Sequence, residues 1–386
     1  MDRDLGSRVC RARRWLWALA AAWLVVACGG GVGTGGTGAF ASGPITGFGS
    51  IIVNDVHFDE SAARIDDDDG DDRQRSDLHL GTIVEVQSGE IRDGAATASQ
   101  VRIVSALIGP VQSVSAGTLV VNGQNVQTNA GTVFDFSGGL GGITIGRVVV
   151  VYGFLLPAQG GISATRIEPD DGATTFKFRG MVSALDTVAS TFDIGNQHFS
   201  FAGLANGADA LRNGALVSVV VAMQPNAQGR WVVTKVGNSG PGGDRDEVKA
   251  NGMISSFTSN ASFTIDAYTV DASAAQIDGG PLAVGVHVKV EGSLRSGVLV
   301  ATKVQAISQN QPEELELRGP ISSIDTGAKA FQVGGRSERV SYARPDLVFD
   351  GGTAADLQLG VRVRATGPLS ADGTVVDATR IKIEKN

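Results

Sequence analysis

The sequence predicts an all-β protein, a tandem series of small antiparallel β-barrels arranged as beads on a string, and three observations lead there. Among 386 residues there are 53 Gly and 11 Pro with only 6% aromatic side chains, a balance that favours short strands and tight turns over helix bundles. The same three anchor motifs recur five times in one order. Between them the apolar residues alternate with polar ones, and no segment beyond the first 27 residues sustains a helical period.

The first anchor is Gly, then Pro or Met, then Ile or Val, two residues and an apolar residue. It begins at Gly43, Gly109, Gly180, Gly252 and Gly319, spaced 66, 71, 72 and 67 residues apart. The second is Gly followed by alternating β-branched residues, at Gly81, Gly146, Gly214, Gly285 and Gly360. Such alternation marks a half-buried strand, so His287, Lys289, Arg362 and Arg364 are expected to face water while the neighbouring valines fill the core. The third closes each unit, as in Ala98-Ser99-Gln100-Val101 and Ala378-Thr379-Arg380-Ile381.

Between the first and second anchors each unit carries a hairpin turn: Asn54-Asp55, Asn122-Gly123, Gly195-Asn196, Asp266-Ala267 and Gly334-Gly335. Asn, Asp and Gly accept the positive φ of primed turns. Short helical turns are expected at 208–211 and 354–357. Each unit then holds five or six strands, enough to close a small barrel and remove its edges. The modules span 43–107, 108–172, 177–240, 249–309 and 315–386, with polar or Gly-rich joints at 237–247 and 308–314.

This repeating pattern resembles the bacterial domain-of-unknown-function family 5666, met as tandem copies in secreted or lipid-anchored proteins. The resemblance covers residues 43–386. It implies a small β-barrel similar to an OB-fold and carries over no catalytic residues.

The first 27 residues have the layout of an export signal: Arg3, Arg8, Arg11, Arg13 and Arg14 precede an apolar run from Trp15 to Ala27. The run is too short for a permanent transmembrane helix. Val25-Val26-Ala27-Cys28 resembles a lipobox, which implies lipidation of Cys28, with acyl chains such as palmitate, and removal of residues 1–27. Gly29 at the next position implies sorting to the outer membrane. Residues 28–42 are expected to be a Gly-rich tether. Loss of the signal would leave 27 basic and 38 acidic side chains, a net charge of −11, which repels polyanions. Phe48, Phe257 and Phe331 recur at core positions of the repeat, so the stacking aromatics and basic groove of a single-strand binder are missing, and nucleic acid is not an expected partner.

The sharpest local feature is the acidic run Asp66, Asp67, Asp68, Asp69, Gly70, Asp71 and Asp72 in the first module. It is expected to be an enlarged, solvated loop; its functional alternative is a site for Ca²⁺ or another hard cation. An EF-hand is excluded, because Gly70 at the sixth position puts Ile65 first and Ser76 twelfth, where carboxylates are needed. His57, His79, His198 and His287 are too scattered to form a ligand set and are expected to be structural or superficial. Gly31-Val32-Gly33-Thr34-Gly35-Gly36 matches a dinucleotide fingerprint only formally, since it neither follows a strand nor opens a helix. No nucleophile elbow, Walker loop or zincin motif occurs. The expectation is therefore a non-catalytic, lipid-anchored envelope scaffold or adhesion protein without a cofactor, with protein or glycan partners. A cation- or small-ligand-binding protein is the alternative, and an enzyme the third reading.

Overall fold

The computed structural model describes residues 38–156, 161–237, 243–266, 268–308 and 313–384. Cys28, the signal segment and most of the proposed tether lie outside these residues. Among the described residues no helix is long and apolar enough to cross a membrane.

One plan recurs five times. In the first module the strand Ala39–Phe48 pairs antiparallel with Ile51–Val53 and, on its other side, with Ile83–Ser88. Ile51–Val53 continues into Val56–Asp59, and Ile83–Ser88 pairs with Ala95–Ile103. The barrel closes where Val56–Asp59 meets Ala95–Ile103, and this contact is parallel. The closed order of five strands, with one parallel contact between the third and the fifth, is that of an OB-type Greek-key barrel. The same closure joins Gln124–Gln127 to Gly161–Pro169, Gln197–Ser200 to Trp231–Gly237, Tyr268–Asp271 to Val298–Ile307, and Arg339–Ser341 to Val375–Asp377. An antiparallel reading of the repeats captures the pairings within a barrel, the closing strand's contact with the preceding long strand included, except the parallel contacts that the closing strand makes.

The turns form as the residue types dictate. Asn54 and Asp55 have φ of 51° and 63°, Asn122 and Gly123 of 49° and 74°, and Gly334 and Gly335 of 66° and 73°, the left-handed pairs that a twisted two-residue hairpin requires. Gly195 and Asp266 also lie at positive φ, while Ala267 lies outside the described residues. The two expected helical turns appear as the short 3₁₀ segments Ala208–Ala210 and Ala354–Asp356.

Beads on a string describes the order of the barrels along the chain but not their packing. Residues 39–42, expected in the tether, are strand: Ala39 to Ser42 align in parallel with Glu247 to Ala250 of the fourth module. That module accordingly begins at Arg245, four residues before its expected start. Farther along the same strand, Gly47 and Phe48 pair with Glu316 and Leu317 of the fifth module. A Cβ on Gly47 would stand 2.6 Å from the Glu316 carbonyl oxygen, so only glycine lets these strands approach. The second and third modules are joined through Leu107 and Ile108, which pair with Phe178 and Lys177.

Among the described residues the buried apolar side chains form three clusters shared across modules. One combines the first and fifth modules with Tyr152, Phe154 and Leu156 of the second. Another joins the second and third, where Phe178 meets Phe199 edge-on at 5.2 Å. The last is the fourth module's core, completed by Phe40 from the first. Small barrels bury too little apolar surface to be robust alone, and sharing offsets that deficit. Phe40→Ala is therefore expected to destabilise the protein by about 3–5 kcal/mol. Hydrogen exchange should place much of the loss in the fourth module; a loss confined to the first would refute the shared core.

Candidate functional site: the acidic turn and the module junctions

The acidic run splits into residues with different tasks. Asp66 belongs to the short strand Arg64–Asp67, which pairs in parallel with Ala95–Ile103. Aligned on that pairing, Asp66 occupies the position of Asp135 and Asp350 in the second and fifth modules. Gln100 Nε2 donates to Asp66 Oδ2 at 2.6 Å, as Arg166 and Arg380 donate to Asp135 and Asp350 at 3.3 and 3.2 Å. Asp66 thus makes the repeat's own cross-strand contact.

Asp67 shapes the turn that follows. Its Oδ1 accepts the backbone N–H groups of Asp69 and Asp71 at 3.0 and 2.9 Å, and Arg73 donates to Oδ2. Burial acts to raise this carboxyl's pKa, but the backbone donor at Asp71 and the Arg73 guanidinium outweigh it, and the net shift is downward. Gly70 closes the turn at φ of 84°.

Asp68 and Asp69 leave the first module altogether. Lys177 of the third module, itself fully buried, donates to Asp68 Oδ1 and lies 2.9 Å from Asp69 Oδ2. Burial would lower the Lys177 pKa, yet the two facing carboxylates more than compensate and raise it. Burial pushes the Asp69 carboxyl up against the opposing pull of Lys177. The turn sits against Gly237, where a Cβ would be 2.5 Å from the Asp68 carbonyl oxygen. Only Asp71 and Asp72 remain well exposed, near Lys235 at 3.5 Å and Arg64 at 3.1 Å.

This arrangement corrects the reading of residues 66–72 as a solvated loop, because Asp66, Asp67 and Asp68 are buried and the turn is held by hydrogen bonds and ion pairs. Asp68 and Asp69 share Lys177, while Asp66, Asp67, Asp71 and Asp72 meet Gln100, Arg73, Lys235 and Arg64, and among the described residues no group of three or more His, Cys, Asp or Glu is placed to hold a metal ion. Backbone order comes from strand pairing, and the charges are neutralised by Arg64, Arg73, Lys177 and Lys235. The signal that sequence reading lacked was Lys177, whose partner lies 109 residues away.

The outward faces of the second-anchor strands are likewise used. His287 does not face water: its ring lies 4.8 Å from that of Phe154 in the second module, and its Nε2 bonds to Asn251 Oδ1. Burial, aided by the Lys289 charge, lowers its pKa to about 4. Lys289 reaches Asp55 of the first module at 3.2 Å and Glu313 at 3.4 Å. Arg364, expected in water, is half-buried and lies 3.5 Å from Glu316, whereas Arg362 is exposed as expected. His79 joins the first module to the fifth through Glu338 at 3.3 Å, and Arg336 stacks 3.5 Å above the Phe48 ring. His57 and His198 sit in hairpins beside Ser50 and Asp193.

Two predictions follow from these junctions. Removing Lys177 leaves carboxylates buried without a counter-charge, so Lys177→Met is expected to cost about 3–5 kcal/mol, with Asp68→Leu on that background restoring part of it; chemical denaturation measures both. His287 has a folded pKa below its ordinary 6.5, so the unfolded chain binds the extra proton first. Its contribution to stability is complete above pH 6.5 and declines as pH falls toward 4. Between pH 6.5 and 5, His287→Gln should flatten the slope of unfolding free energy against pH; an unchanged slope would show that the ring is not buried neutral.

The model of the family described as Domain of unknown function (DUF5666) matches residues 108–168, 251–305 and 318–382. No curated protein matches significantly. Among solved structures, Drosophila Unr CSD456 aligns at 12% identity over 55% of this chain and 98% of that one, with a TM-score of 0.14. A multidomain protein with nucleic acid binding domains from Streptococcus pneumoniae TIGR4 aligns at 10% identity over 57% of this chain and 76% of that one, with a TM-score of 0.15. The second, fourth and fifth modules thus match the DUF5666 family model.

Proposed function

We propose that the protein is a non-catalytic scaffold of the bacterial cell envelope, held to the outer membrane through lipidated Cys28 and presenting its interlocked barrels to protein or glycan partners. The observation that carries the scaffold reading is the sharing of one strand, Ala39–Phe48, among the first, fourth and fifth modules. Main-chain pairing between modules holds their relative positions against fluctuation, which suits a protein whose task is to keep surfaces in a fixed arrangement. The buried Lys177 pair and the Lys289 contacts add charge-specific register between modules. The anchor reading rests on the Arg-rich start, the short apolar run and the cysteine that ends it.

Both halves are testable. Cys28→Ser should abolish incorporation of labelled palmitate and release the protein from the membrane fraction; a mutant that stays in the membrane overturns the anchor. For the scaffold, a protease site placed between Ser308 and Glu313 should be cleavable without freeing the fifth module, so that both fragments elute together under native conditions. Separation on cleavage would show that the modules act independently.

A further inference from the structure

A cleft of about 220 Å³ opens where the second, third and fourth modules meet, lined by Gln124, Leu155 and Leu156 of the second, Arg179, Met181 and Ile194 of the third, and Ser255 and Asp266 of the fourth. It takes no part in the Lys177 ion pairs or in the strand sharing. Two buried donors on its wall, Gln124 Nε2 and Arg179 Nε, have no hydrogen-bond partner among the described residues. Buried donors are rarely left unsatisfied, and each one calls for an acceptor. The half-buried Asp266, which also lines the cleft, lies at φ of 46° in its hairpin turn.

We propose that this cleft binds a small monocarboxylic acid with an aryl or alkyl body. The two carboxylate oxygens would take the two free donors, and the charge would be answered by the Arg179 guanidinium, which has no ion pair among the described residues. Leu155, Leu156, Ile194 and the rim residue Met181 supply the apolar wall. Water alone would satisfy the donors but would gain nothing from that wall. Burial raises the Asp266 pKa, with the Arg179 charge opposing the shift. The inference does not depend on the scaffold reading: a rigid array without a ligand, or a ligand in a flexible array, would separate the two.

The probe is benzoate, with benzyl alcohol as its uncharged counterpart, titrated into the full chain by calorimetry. One equivalent of benzoate should bind saturably, about tenfold or more tightly than benzyl alcohol, the ratio expected for a charge-assisted hydrogen bond. Arg179→Gln should lower benzoate affinity by a similar factor. Met181 is 38% exposed, so Met181→Trp should leave the fold intact while obstructing the mouth, and it decides the matter if Arg179→Gln does not fold. Absence of saturable binding, equal binding of the alcohol, or full affinity in Met181→Trp would each overturn the proposal.

Discussion

The backbone of the strand Ala39–Phe48 has more hydrogen-bonding capacity than its own barrel can use, and the arrangement of the modules depends on how that capacity is met. One edge of residues 39–44 is taken by Ile83–Ser88, which leaves the other edge of 39–42 to find a partner. The fourth module provides it through Glu247 to Ala250, and the fifth module takes Gly47 and Phe48. Buried main-chain groups must be paired or pay a desolvation cost. Asn54 reinforces the junction by donating from one amide to Ser42 O and Lys249 O at 2.9 and 2.8 Å. Phe40 then enters the fourth module's core as a consequence of where the strand lies.

Once the strands fix the modules' positions, surfaces that would be solvated in an isolated barrel become interior. Charged residues there are tolerated because they meet opposite charges from another module, as Lys177 meets Asp68 and Asp69. A buried ion pair of this kind adds little net stability compared with well-packed apolar groups, yet breaking it is costly, so it penalises misdocked arrangements. His287 follows the other route and remains neutral beside Phe154. Such residues set the register between barrels more than they strengthen it.

The candidate site was legible only in part. The acidic run stands out in the chain, but its meaning depends on partners remote in sequence. Asp66 illustrates this: its equivalence to Asp135 and Asp350 is a repeat property that the sequence alignment gives and the parallel pairing with Ala95–Ile103 matches, but its contact with Gln100 is not readable from it. Lys177 lies within the strand Phe176–Asp186 and carries no motif of its own. Gln124, Arg179 and Asp266 are equally silent, since each is an ordinary polar residue in a strand or hairpin until three modules converge on them.

The sequence by itself determined the repeat count, the strands, the hairpin turns and the two 3₁₀ segments, because each depends on residues within a few positions of one another. Alternation decides which face of a strand is apolar, and Asn, Asp and Gly decide where φ turns positive. Tertiary structure alone decided the parallel closure of each barrel, the sharing of Ala39–Phe48 among three modules, and the burial of His287, Lys289 and the acidic turn. Those outcomes depend on which outward face meets another module. A polar face reads the same in sequence whether it meets water or a complementary charge, since only the fold brings the second charge within reach.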